Sequence, residues 1–340
     1  MKKLFFLVFL VFLHSCSNHK SLLSVFEQME NITHISVVQP SISRWPYALA
    51  LYDTLLVWLD PYDDKHLSLF DVQNNKLLHR FGSIGVGPGE MTMWPKGRKY
   101  QHDYYHIFDN NQKQILVFPI ESVVKDSLFR PIDIYNFRAN TGLANVIQVN
   151  NNLFLGINNN SDSIYALLDN SGRTIFTGFS YPEDGINTSP FVKYIAYQGN
   201  FHQNPDNPYL LAHIGTSGAV VDILKIEHKK IIRKKRMNFV LPKYKPVNIN
   251  GMSGALLDDE SIIGSISTYV TSDFIYILYA DKPEVEKRCS DIILVFDWMG
   301  QPIKYYKSDV DLFQICVSDD NKTIYGVIMN PEVELVKFEL

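Results

Sequence analysis

"DYYHIFDNNQKQILVF", Asp103 to Phe118, is an apolar run closing on an aspartate, a polar turn, and a second apolar run. Runs this short, rich in aromatic and β-branched residues and bounded by Asp and Asn, read as strands, and so short a turn makes them antiparallel. The pattern recurs at Asp53 ("DTLLVWLDPYDDKHLSLFDV"), Asn152 ("NLFLGINNNSDSIYALLDNSG") and Pro208 ("PYLLAHIGTSGAVVDILKIE"). It recurs again at Asp273 ("DFIYILYAD", leading to "DIILVFDWMG") and at Lys322 ("KTIYGVIMNPEVELVKFEL"), which makes six units. The equivalent positions Val57, Ile107, Phe154, Leu210, Tyr276 and Tyr325 fall at roughly 50-residue intervals, close to the length of a four-stranded propeller blade.

Each pair has room for an inner strand before it and an outer strand after it. In the first unit these are "YALALY" from Tyr47 and "KLLHRF" from Lys76; in the third, "NVIQVN" from Asn145 and "TIFTGF" from Thr174. The sixth unit has an inner strand in "FQICVS" from Phe313 but ends at Leu340 with no outer strand. "ITHISVV", Ile32 to Val38, is the expected replacement, closing the ring between the termini and leaving no sheet edge unpaired. The expected fold is therefore all-β: a six-bladed β-propeller of four-stranded antiparallel blades over residues 32–340, the N-terminal strand completing the last blade. A pair of β-sandwiches would not produce six alike units. Insertions are expected near Phe201 to Asn207 and Lys243 to Gly254, where the fourth and fifth units are stretched.

Between the first two units lies "FGSIGVGPGEM", Phe81 to Met91. No Lys-Ser/Thr pair succeeds its last glycine, and the residues after it read as a strand, so it is neither a phosphate loop nor a dinucleotide fingerprint. Gly82, Gly85, Gly87 and Gly89 are read as permitting positive φ where the chain leaves one blade for the next, with Pro88 fixing one φ angle. Chain direction alternates within a blade, so this crossing shares a face with the turns between second and third strands. That face gathers Glu90 with Asp60, Asp63, Asp109, Asn110, Asn111 and Asp162, a mildly acidic, amide-rich rim suited to a polar ligand such as a glycan or a cationic peptide. A plain solvated rim is the competing reading.

The Phe81–Phe118 segment resembles an NHL-type repeat and, more closely, the TolB-like six-bladed propeller lipoproteins of Bacteroidetes. In those a Gly-x-x-Gly-x-Gly-Pro-Gly-Glu run comes after the first blade, and Gly82, Gly85, Gly87, Pro88, Gly89 and Glu90 match it. The resemblance implies the fold and a cell-envelope location more firmly than any activity.

The chain opens "MKKLFFLVFLVFLHSC": two lysines, then an apolar run from Leu4 to Leu13 that fits a secretory signal and is too short to span a bilayer. Leu13-His14-Ser15-Cys16 resembles a bacterial lipobox, which implies a signal peptide over residues 1–16 and a lipid anchor at Cys16. Plain secretion is the other reading. Residues 17–31 are read as a linker. "SNHK", immediately after Cys16, holds no acidic run, which favours an outer-membrane position facing the periplasm.

A net charge of -4 is unlike a nucleic-acid binder. Cys289 and Cys316 read as buried thiols, with a disulfide as the alternative. His102 and His106 are four apart on and before a strand, where that spacing does not make a helical metal pair; no metal or cofactor is expected. The basic "HKKIIRKKRM" from His228 reads as the fourth blade's outer strand, with Ile231 and Ile232 packing inward. The expected function is a monomeric, non-catalytic envelope lipoprotein binding a polar ligand, glycan, peptide or protein partner; the alternative is an envelope hydrolase or lyase with its site in the central mouth.

Overall fold

The computed structural model describes residues 22–37, 46–62, 64–125, 130–137, 142–281, 283, 288–329 and 332–340. Cys16, the expected signal peptide over residues 1–16 and Asp63 lie outside them.

Five four-stranded sheets and one five-stranded sheet succeed one another along the chain as blades, beside a two-stranded hairpin. Blade one runs outward from Ala48–Tyr52 through Leu55–Tyr62 and Lys65–Asp71 to Lys76–Ser83. Blade two begins at Lys96–Tyr100, blade three at Leu143–Asn150, blade four at Gly199–Gln203, blade five at Ser267–Val270 and blade six at Gln314–Val317. Blade six is completed by Ile35–Val37, antiparallel to Val333–Glu339, as the missing outer strand requires. The protein is a six-bladed propeller closed between its termini.

Middle strands are buried along nearly their whole length, and mostly apolar, because adjacent blades cover both of their faces. Tyr104–Asp109 and Gln114–Pro119 are buried at every position but one each, whereas the outer strand Lys230–Val240 alternates. The core is correspondingly a ring of wedges. Leu59 and Leu69 of blade one meet Ile107 and Phe118 of blade two, and Leu155 and Leu167 of blade three meet Leu211 and Leu224 of blade four. Cys289 and Cys316 are free thiols inside this core, and burial raises the Cys316 pKa.

Four readings need correction. Residues 22–31 are part of the fold and not a linker: Leu22 and Phe26 are buried against blades four and five. Met29–Ile32 pairs parallel with Tyr305–Ser308 as a fifth strand of blade five, so Ile32 belongs to this pairing and the closing strand starts at Ile35. The insertion before blade four lies upstream of Phe201, where Ser189 caps a helix, Pro190–Ala196. Phe201 is in the inner strand, and Asn204 Oδ1 shapes the next turn by accepting from the backbone N–H groups of Asp206 and Asn207. The second insertion is a hairpin, Tyr244–Ile249 with Met252–Leu257, tied to the helix region because Tyr197 and Tyr244 both donate to Asp184. Finally, Ile231 is buried but Ile232 is 37% exposed, since neighbours on a strand face opposite ways.

Candidate functional site

The glycine run crosses from the outer strand of blade one to the inner strand of blade two. Gly82 and Gly89 have φ of +72° and +79°, as expected. Gly87 O accepts from Glu90 N at 3.0 Å, a turn with Pro88 second and Gly89 third, the residues a type II turn favours. Gly85 and Gly87 have ordinary φ and serve a different end: a Cβ there would lie 2.0 and 2.9 Å from Glu90 Oε2. The loop is wrapped around the Glu90 carboxylate, which accepts from Gly87 N at 2.8 Å.

The structure brings Glu90, Asp109, Asn110 and Asn111 together. Asp109 is buried and accepts from Thr92 N and Oγ1, both at 2.7 Å, and from the N–H groups of Asn111 and Gln112. Burial opposes its ionisation, but these donors outweigh it and hold the pKa below the usual carboxylate range. Gln112 and Gln114 donate to Glu90 O. The two acidic side chains of this rim are thus engaged in fixing the crossing. Asn110 and Asn111 are exposed beside them; Asp60 is buried near Tyr47, whose pKa is raised by burial and by the Asp60 charge. Asp162 is exposed in the corresponding turn of blade three, and no described contact joins it to the others.

The crossing delivers the segment after it, "WPKGRK", Trp94 to Lys99. Inner strands of five blades enclose a cavity of about 390 Å³ on the propeller axis, with Trp94, Lys96, Arg98, Lys99, His202 and Arg288 in its wall. Trp94 is 64% exposed at the mouth, with its ring centroid 5.5 Å from that of Tyr47. Its φ of +62° is one a bulky residue rarely adopts, and such strain concentrates at ligand sites.

The cations at the centre meet neutral acceptors. Lys96 Nζ donates to Asn200 Oδ1 at 2.8 Å; Arg98 donates to Asn145 Oδ1 at 2.7 Å and Phe201 O at 3.0 Å. Lys99, at the far end, pairs with Asp319 at 2.7 Å. Lys96 stays open to the cavity, yet the surrounding protein pulls its pKa down to about 8, with Arg98 adding repulsion. Burial likewise lowers Arg98 to about 10, and both remain charged at neutral pH. Among the described residues no Asp or Glu lines this cavity, so its field is positive, opposite in sign to the rim expected from the turns. Tyr47 OH, His202 Nε2 and Gln203 Oε1, all in the wall, are buried with no hydrogen-bond partner among the described residues.

Sequence reading missed this site. Two cations two apart on an inner strand, Lys96 and Arg98, project to the same face of the blade, and that signal was present beside the glycine run.

A profile of the TolB-like 6-blade propeller-like family matches residues 26–320. The chain belongs to that family. Among solved structures, this TolB-like propeller is similar to a protein from Bacteroides vulgatus described as a member of the DUF4221 family, at 11% identity and a TM-score of 0.52. The match covers 91% of this chain and 96% of that one, and at such low identity it speaks for the fold alone. No curated protein matches the chain. No helix among the described residues is long and apolar enough to cross a membrane.

Buried histidines, among them His202 and His213, make the fold acid-sensitive. Burial, with Arg98 and other nearby cations, lowers His202 to about 3; burial lowers His213 to about 4 despite the opposing charge of Asp222. Both are neutral when folded, while the unfolded chain binds protons from about pH 6.5 downward, so stability falls as pH drops from 6.5 toward 4 and is unaffected above. For His213 the loss by pH 4 is about 3 kcal/mol. Thermal unfolding across this range is expected to show the drop, and His213→Asn to lessen it.

Proposed function

We propose that this protein is a cell-envelope lipoprotein, held to the membrane through Cys16, whose propeller binds an anionic sugar in its central cavity without catalysing a reaction. The observation that carries this reading is the pair Lys96 and Arg98, lining the cavity and held by neutral acceptors, with no Asp or Glu in its described wall. Charges withdrawn from water without a counter-charge are costly, and an arriving carboxylate or phosphate group offsets that cost. Trp94 and Tyr47 at the mouth supply flat apolar faces for a sugar ring. The cationic wall disfavours the cationic peptide that the rim had suggested. Family membership and the N-terminal lipobox support the envelope position.

Hydrolysis or elimination needs a positioned acid and base. His202, with a pKa of about 3, is too weak a base at neutral pH, and Lys96, lowered to about 8, is mostly protonated there with no carboxylate beside it in the described wall.

Thermal unfolding of the intact protein tests the proposal against glucuronate and galacturonate oligomers, glucose 6-phosphate, neutral sugars and a lysine-rich peptide. Stabilisation by one anionic class is expected, about 2.7 kcal/mol at a hundredfold excess over its dissociation constant, and the two arms separate carboxylate from phosphate. It should weaken with added salt. A larger shift with the peptide, or none with any anion, would overturn the reading.

A further inference from the structure

A second cleft opens on the opposite face of the propeller, where the turns between first and second strands gather. It lies between blades two and three, with a volume of about 570 Å³, in the range of small-ligand sites. Its chemistry is unlike that of the axial cavity: Asp133 is the one charged residue in its described wall, alongside asparagines, glutamines and tyrosines.

The wall also concentrates unsatisfied polar atoms. His106, 3% exposed, has no hydrogen-bond partner at either ring nitrogen among the described residues; its ring is stacked on Tyr100, centroids 3.7 Å apart. Tyr100 OH and Gln148 Oε1 are likewise buried and unpaired among the described residues. Native proteins pair nearly all such groups, because each left unpaired forfeits its hydration. Four unpaired atoms from three residues in one cleft call for a common partner. At the rim, Asn150 Nδ2 donates to Tyr209 OH at 2.9 Å, fixing a half-exposed phenol beside Asn151 and Asn152.

We propose that this cleft is a second binding site, for a neutral sugar unit whose hydroxyls pair with His106, Gln148 and Tyr100 while one ring face lies against the wall tyrosines. The unpaired set mixes acceptor and donor: an amide oxygen, a phenol, and an imidazole with one nitrogen of each kind. A hydroxyl both gives and takes a hydrogen bond, so neighbouring hydroxyls on a ring match such a set where a carboxylate, acceptor only, does not. Burial, with Arg98 nearby, keeps His106 neutral and so preserves its acceptor nitrogen. The absence of Lys and Arg from the described wall and the presence of Asp133 turn anions away.

The test is titration of the intact protein with maltose, lactose and N-acetylglucosamine while monitoring the ring nitrogen signals of His106, assigned with His106→Asn. Saturable movement of these signals by at least one sugar is expected, with affinity falling tenfold or more in Tyr209→Ala. Should that variant fold poorly, Asn151→Ala at the exposed turn is expected to weaken binding in the same direction. No movement up to the solubility limit would overturn the proposal and leave water as the partner of these atoms. Equal movement with inorganic phosphate, or binding unchanged in both variants, would overturn it as well.

Discussion

Asp222→Ala is expected to remove about 3–5 kcal/mol of folding stability, the usual effect of leaving one member of a buried ion pair behind. Asp222 is 1% exposed and accepts from Arg236 Nε at 2.7 Å and Nη2 at 2.6 Å. Tyr165, reaching across from blade three, donates to the same carboxylate at 2.7 Å. Since that phenol proton is taken by Asp222, His213 Nδ1 donates to the Tyr165 oxygen at 3.0 Å. One carboxylate therefore fastens the third and outer strands of blade four to blade three. Its removal leaves the partly buried Arg236 guanidinium without a counter-charge, with the neutral Ser180 O and the Tyr165 hydroxyl as its described partners. Denaturant unfolding checks the loss. The double variant Asp222→Leu with Arg236→Met should recover most of it, because two apolar groups leave no charge unpaired.

Lys96→Gln combined with Arg98→Gln is expected to have the opposite profile: binding of the anionic ligand is lost while the fold is kept. Each hydrogen bond to a charged group contributes about 1.5–3 kcal/mol, so removing two weakens affinity by roughly 100- to 10,000-fold. The two groups repel each other, so their effects need not add. Thermal stability without ligand should hold or rise, because two poorly compensated cations leave the axis. Calorimetric titration beside thermal unfolding separates the outcomes; a large fall in stability would mean that these cations serve the fold and not a ligand.

Much of the architecture is legible locally. A strand buried on both faces, such as "LLVWL" at Leu55, is mostly apolar, and turns such as "DNNQK" at Asp109 need Asp and Asn to hydrogen-bond their own backbone, so blades recur as a visible period. Gly82 and Gly89 are legible for the same reason, since positive φ is a local demand. Gly85 and Gly87 are not, because the room they leave for Glu90 depends on how the loop folds back.

By itself, then, the sequence determined the blade count, the closure of the last blade by a strand near the N-terminus and the place of the crossing, all of which arise from local patterning and the alternation of chain direction within each blade. Tertiary structure alone decided the pairing of Met29–Ile32 with Tyr305–Ser308 and the sign of the central field. A parallel edge pairing has no turn to announce it. The axial cavity is assembled from inner strands far apart in the chain, so whether Lys96 and Arg98 find carboxylates or only Asn145, Asn200 and a carbonyl is settled when the ring closes.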